Sequence, residues 1–124
     1  MRVLHVYKDY PPVRGGIEHH LRTLAVGQAA RGHEVEVVVA ATGPASTTSV
    51  EEGVRVIRVA RLGTLRSTPI SPRLVATAAR RPADVVHLHF PHPPGELSWL
   101  LRGFDPPAVI SYHADIVRQK LLAR

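Results

Sequence analysis

Apolar positions along the chain fall into two kinds of run. Arg2 to Tyr7, Glu34 to Ala41, Val54 to Val59, Asp84 to Phe90 and Pro107 to Tyr112 are short, valine-rich or isoleucine-containing stretches, as expected of strands covered on both faces. Ile17, Leu21, Leu24, Ala25, Gln28 and Ala29 instead return at helical spacing and end at Gly32, which predicts a helix over 16–32. Ser71-Pro72 opens a second helix with a hydroxyl N-cap and a proline in the first position; it runs through Leu74, Val75 and Ala78 to Arg81 and stops at Pro82. A third runs from Pro94 to Gly103 and carries Leu97, Leu100 and Leu101, with Trp99 in or partly in the core, and Asp115 to Arg124 forms the last.

Between these elements the chain is punctuated by turn residues. Thr42 to Thr48 reads as a loop, and Val50 to Gly53 as a short approach to the third strand. Arg55 and Arg58 break the alternation of that strand, which places it at an edge of the sheet, and Leu62 to Ser71 reads as a surface loop suited to ordering on binding. Strands alternating with helices give an α/β domain, a mostly parallel sheet with helices on both faces. In such sheets ligands bind beyond the carboxyl ends of the strands, which selects the loops after Tyr7, Phe90 and Tyr112.

The first of those loops carries the clearest chemistry. Tyr10-Pro-Pro-Val-Arg-Gly-Gly-Ile-Glu-His-His20 takes the chain from a strand through a turn into a helix. Gly15 and Gly16 admit close approach of a ligand to the backbone, the first amides of the helix have no partner within it, and Arg14 adds a full positive charge. A phosphorylated or carboxylated ligand suits that turn, although two glycines after a strand also serve as a plain tight connection. The spacing is not the G-x-G-x-x-G of a dinucleotide site. Glu18 favours the helix dipole but would repel a close anion, so it reads as a helix-start residue or a contact to hydroxyls.

Composition narrows the partners. With 124 residues the chain is one domain at most. No apolar run approaches the roughly 18 residues of a membrane span, and Met1-Arg2 leads directly into a strand without a cleavable leader pattern. Zero cysteines excludes disulfides and thiolate metal sites and is compatible with a cytoplasmic setting. The formal charge of +6 suits an anionic partner, but the arginines are scattered and aromatics make up only 5%. Nucleic acid is therefore not the expected partner, and peripheral contact with an anionic membrane fits better.

Eight histidines remain to be placed. His87 and His89 share one face of a strand. With His113 and Asp115 they could be drawn as a metal set for a hydrolase, but no further base or ligand completes it, and His5 and His87 read as satisfied interior histidines. His19, His20 and His33 suit helix surfaces or ends. His113 follows the fifth strand and precedes Asp115 at the start of a helix, so it projects toward the crevice that the glycine turn faces. There a neutral imidazole can bond a sugar hydroxyl, orient a leaving group or assist proton transfer.

Taken together, "MRVLHVYKDYPPVRGGIEHHLRTLA", "ARGHEVEVVVA", "DVVHLHFPHP" and "VISYHADIVRQKLL" resemble the N-terminal domain of family 4 retaining glycosyltransferases, two-domain enzymes of the GT-B type. The resemblance implies a Rossmann-like acceptor-side domain, with a nucleoside diphosphate sugar gripped mostly by a second such domain. It implies Gly15 and Gly16 against the donor diphosphate, His113 as the catalytic residue facing the transferred sugar, and His89 and His92 bordering donor or acceptor. Asp115, Arg118 and Lys120 would make acceptor or interdomain contacts. No cofactor or metal is implied. The paired glutamates and the cation of the family's second domain have no counterpart here, so residues 1–124 read as an incomplete, truncated N-terminal part, inactive alone. Such a part could join a separate second-domain chain or associate through an open sheet edge. The competing reading is a non-catalytic module that binds an acceptor or a partner.

Overall fold

The computed structural model describes residues 1–12, 15–65, 68–90, 92–103 and 105–112. Its centre is a six-stranded sheet built from β1 (Arg2–Val6), β2 (Glu34–Ala40), β3 (Thr47–Glu51), β4 (Val54–Val59), β7 (Val85–Phe90) and β8 (Ala108–Tyr112). A separate two-stranded ribbon pairs β5 (Gly63–Leu65) with β6 (Thr68–Ile70). Strand order across the main sheet is β3-β4-β2-β1-β7-β8, and every pairing is parallel except that of β3 with β4. Helix α1 (Gly16–Ala30) covers one face, while α2 (Pro72–Arg80) and α3 (Pro93–Leu101) share the other. The predicted α/β architecture is the one found.

Period-2 alternation sorts the strand side chains. Val3, Tyr7, Val35, Val37, Val39, Val54 and Val56 pack with Leu21 and Ala25 of α1. Leu4, Val6, Val38, Ala40, Val59, Val86 and Leu88 pack with Leu74 and Ala78 of α2. Because both faces are covered, β1 and β2 have to be apolar nearly throughout, which is why they read as continuous runs. Trp99 is half-buried in the second cluster, and its indole N–H donates to the Pro106 carbonyl at 3.0 Å.

Two expectations about the region after β2 are corrected. β4 is not an edge strand: it lies between β2 and β3, and β3 takes the edge. Residues 47–51 pair antiparallel with β4 through a two-residue connection in which Glu52 (φ 53°) and Gly53 (φ 81°) both adopt left-handed backbone. That handedness matches the twist of a hairpin. Arg58 is tolerated inside the sheet because Glu51 of β3 pairs with its guanidinium at 2.6 Å and the Pro11 carbonyl accepts from it at 2.7 Å. The second correction concerns 62–71, expected as a loop, which contains the β5-β6 ribbon.

The expected stop at Gly32 holds, with that residue at φ 92° and its amide bonded to the Ala29 carbonyl. Since β1, β7 and β8 are parallel neighbours, their carboxyl ends lie along one margin of the sheet. The ends of β1 and β8 are two strand spacings apart, about 10 Å.

Candidate active site

The margin where β1 and β7 end collects most of the buried polar side chains among the described residues. His5, Tyr7, Glu18, His89 and His92 are all buried there or just beneath it. The Tyr7 ring stands edge-on to His89 (6.0 Å between centroids) and to His92 (5.6 Å). Its phenol is pushed up to about 12, first by burial and then by the Glu18 and Asp9 carboxylates, so it remains a donor.

Beneath Tyr7 lies a chain of imidazoles. Parallel pairing sets His5 of β1 directly beside His87 of β7, with His89 two residues further along the same face. His5 Nε2 lies 2.7 Å from Gln28 Oε1 on α1, and His5 Nδ1 lies 3.1 Å from His89 Nε2. With the Gln28 oxygen accepting, His5 carries its proton on Nε2, so His89 Nε2 donates to His5 Nδ1. His87 Nε2 meets Ser111 Oγ at 2.6 Å. The reading of His5 and His87 as satisfied interior residues therefore agrees with the structure. Burial is the main cause that lowers the His5 pKa to about 4, and neighbouring His87 and His20 lower it further.

Nitrogen atoms of His5, His87 and His89 come within 4.8 Å of one another, which raises the question of a metal. The rings do not fit one as arranged. A ligated ion lies in the plane of each imidazole, whereas His87 and His89 are stacked with 8° between their planes and 4.4 Å between centroids. Parallel planes do not converge on one ion. His113 and Asp115, which completed the predicted metal set, lie outside the described residues.

His92 is the N-cap residue of α3, 5% exposed, and its side chain makes no capping bond. Its Nδ1 is buried without a hydrogen-bond partner among the described residues, and burial, reinforced by Lys8, lowers its pKa to about 4. A methyl on Gly95 would lie 3.0 Å from that nitrogen, so Gly95 is what lets the ring sit over the first turn of α3. The ring is thus held neutral at the mouth of the crevice, in a state suited to hydrogen bonding rather than to ion pairing.

The glycine turn takes its predicted place at the N-terminus of α1. Gly15 is the N-cap in extended conformation (φ 173°), and Gly16 begins the helix with nothing within 4 Å of where a side chain would project. Gly15 has ordinary extended backbone, and a Cβ there would overlap the end of the flexible Glu18 side chain, which would have to shift. Burial of Glu18 is the feature that sequence reasoning missed. A glutamate in a first helical turn is ordinarily solvated, and only the facing glycine signals otherwise. Arg14, His113, Asp115 and Lys120 lie outside the described residues. His19 and His20 are exposed and His33 half-buried, as expected. A groove of about 600 Å³ lined by Ser46, Thr48, Arg73, Thr77 and Arg80 lies between the hairpin and α2, on the face opposite the imidazoles.

Residues 14–124 match the family described as Glycosyltransferase Family 4. Among curated proteins, the O-antigen chain mannosyltransferase C of Escherichia coli is 35% identical over 127 residues, covering 100% of this chain and 34% of that protein. The D-rhamnosyltransferase WbpZ of Pseudomonas aeruginosa is 37% identical over 130 residues, with 100% and 33% covered. A phosphatidyl-myo-inositol mannosyltransferase of Mycobacterium leprae is 29% identical over 116 residues, with 90% and 31% covered. The sucrose-phosphate synthase of Thermosynechococcus elongatus shares the fold, with a TM-score of 0.65 at 20% identity over 90% of this chain and 33% of that structure. The chain spans about one third of the length of the curated relatives it matches.

Proposed function

We propose, from the premise that the chain belongs to glycosyltransferase family 4, that it is the N-terminal part of a retaining glycosyltransferase moving a sugar from a nucleoside diphosphate to a hydroxyl. The observation that carries this reading is the shared margin of the sheet. The glycine turn after β1 and the buried His89 and His92 at and after the end of β7 lie at that margin, and β8 ends there immediately before His113. A span of about 10 Å from β1 to β8 is on the scale of a sugar phosphate.

In this reading the diphosphate lies against Gly15 and Gly16 with Arg14 beside it, and the helix amides stabilise the charge that develops as it departs. His113 faces the transferred sugar, and His89 and the neutral His92 border it. Asp115 and Lys120 contact the acceptor or the second domain, which grips most of the donor. The chemistry is positional and electrostatic and calls for no cofactor or metal. Mannosyl and rhamnosyl transfer in the relatives' names makes a hexose the first donor to try. No helix is long and apolar enough to cross a membrane among the described residues. The net charge of +6 fits a cytoplasmic protein peripheral to an anionic inner membrane face, where a lipid-linked acceptor would be met.

The test is His113→Ala in the enzyme that contains this chain. Turnover should fall by roughly 10² or more while the melting temperature holds, and unchanged turnover would remove His113 from the mechanism. Because the chain spans a third of its relatives, a non-catalytic acceptor-binding or docking module is the second reading. Calorimetry of this chain with sugar nucleotides separates the two, measurable donor affinity favouring a partial active site.

A further inference from the structure

We propose that Glu18 is a displaceable gate on the glycine turn. Its carboxylate holds the N-terminus of α1 while the site is empty, and it must swing out before a diphosphate can bind. This rests on the reading that the diphosphate meets Gly15 and Gly16.

Glu18 is the third residue of α1, where an ordinary glutamate is solvated, yet it is only 7% exposed. It folds back until it fills the space in front of Gly15 that any other residue's Cβ would occupy. Gly16, next along, has nothing within 4 Å of its open side. Burying most of a glutamate side chain is unfavourable in itself. Its position at the positive end of a helix, whose first amides have no intrahelical acceptor, is a local feature that favours it.

A phosphate is favoured there by the same amides and the same partial charge. Two anions so close repel strongly in a partly buried site, so carboxylate and diphosphate exclude one another. Tyr7, the other group that senses Glu18, stays a neutral phenol and does not offset the charge. The stem of Glu18 is unbranched and rotates freely, so the gate opens by side-chain motion alone. Its consequence is selectivity: a ligand that brings enough negative charge displaces the carboxylate, and an uncharged one gains nothing at the turn.

The 124-residue chain can be titrated with inorganic pyrophosphate while the amide NMR signals of Gly15, Gly16 and Ile17 are followed. Glu18→Gln, which keeps the size and removes the charge, should bind pyrophosphate roughly three- to tenfold tighter than the parent. Glu18→Ala should behave in the same way, so a folding defect in one variant does not decide the outcome. Uncharged adenosine should show no difference between parent and variants. Equal pyrophosphate affinity in parent and variants, with shifts still centred on the turn, overturns the gate and leaves the turn as the diphosphate site. Weaker binding in the variants overturns it by making Glu18 a ligand. Absence of shifts at residues 15–17 in all proteins overturns both readings.

Discussion

On the face of the sheet covered by α2 and α3, Leu4, Val6, Val38, Val86 and Leu88 pack against Leu74 and Ala78 in an aliphatic cluster. On the face covered by α1, β1 and β7 carry His5, His87 and His89 next to the apolar Val3 and Val85; His5 meets Gln28 and His89, and His87 meets Ser111. The same two strands therefore carry a packed core on one side and a polar chain on the other. Strand periodicity allows this, because adjacent residues point to opposite faces and can be selected separately. The aliphatic side fixes the position of β1 and β7, and the other side uses that rigidity to hold the imidazoles below the margin where the glycine turn opens. The sheet there is a scaffold on one face and part of a candidate site on the other.

The comparison breaks most visibly if the aliphatic face is hollowed. Leu4 is fully buried, and Leu4→Ala should cost about 3 kcal/mol of unfolding free energy in urea titrations. That difference between variant and parent should be the same at pH 7 and pH 5, since nothing in the cluster titrates. A loss below about 1 kcal/mol would mean that this face is not the scaffold.

The imidazole face should respond to pH instead. His5 has its pKa lowered from 6.5 to about 4, chiefly by burial, so the folded state disfavours its charged form. Above pH 6.5 neither state binds the proton and stability is complete. As pH falls from 6.5 toward 4 the unfolded chain takes up the proton first, and stability declines until the folded state is protonated as well. For a shift of this size the decline from His5 is about 3 kcal/mol, and His92, lowered in the same direction, adds to it over the same window. Urea titrations at half-unit steps check this: stability that stays flat from pH 7 to 4.5 would place charged or solvated histidines on that face.

Most of the scaffold was legible because its causes are local. Valine runs give β1, β2 and β4, the Ser71-Pro72 pair gives the start of α2, and Gly32 the end of α1. The hairpin of β3 and β4 was not, because its turn places Glu52 in left-handed backbone, where glycine or asparagine would have announced it. The imidazole chain was half legible. His5 and His87 could be placed inside strands, but only the strand order sets them side by side. Burial of Glu18 is signalled only by the glycine it faces, which no periodicity encodes.

The smallest test compares how the helices begin. α2 is capped in the ordinary way: Ser71 Oγ accepts from the Leu74 amide at 3.3 Å and donates to the Ala60 carbonyl at 2.6 Å. Gly15 and His92, which precede α1 and α3, supply no side-chain cap. Ser71→Ala should therefore cost about 1 kcal/mol and leave pyrophosphate affinity at the glycine turn unchanged. Gly15→Ser offers α1 a cap but places its Cβ where the Glu18 carboxylate sits, so gain and displacement oppose each other and stability should move by less than about 0.5 kcal/mol. If Gly15→Ser instead stabilises the chain by 1 kcal/mol or more, roughly a full cap's worth, the start of α1 is an unfilled structural position rather than one kept open for a ligand.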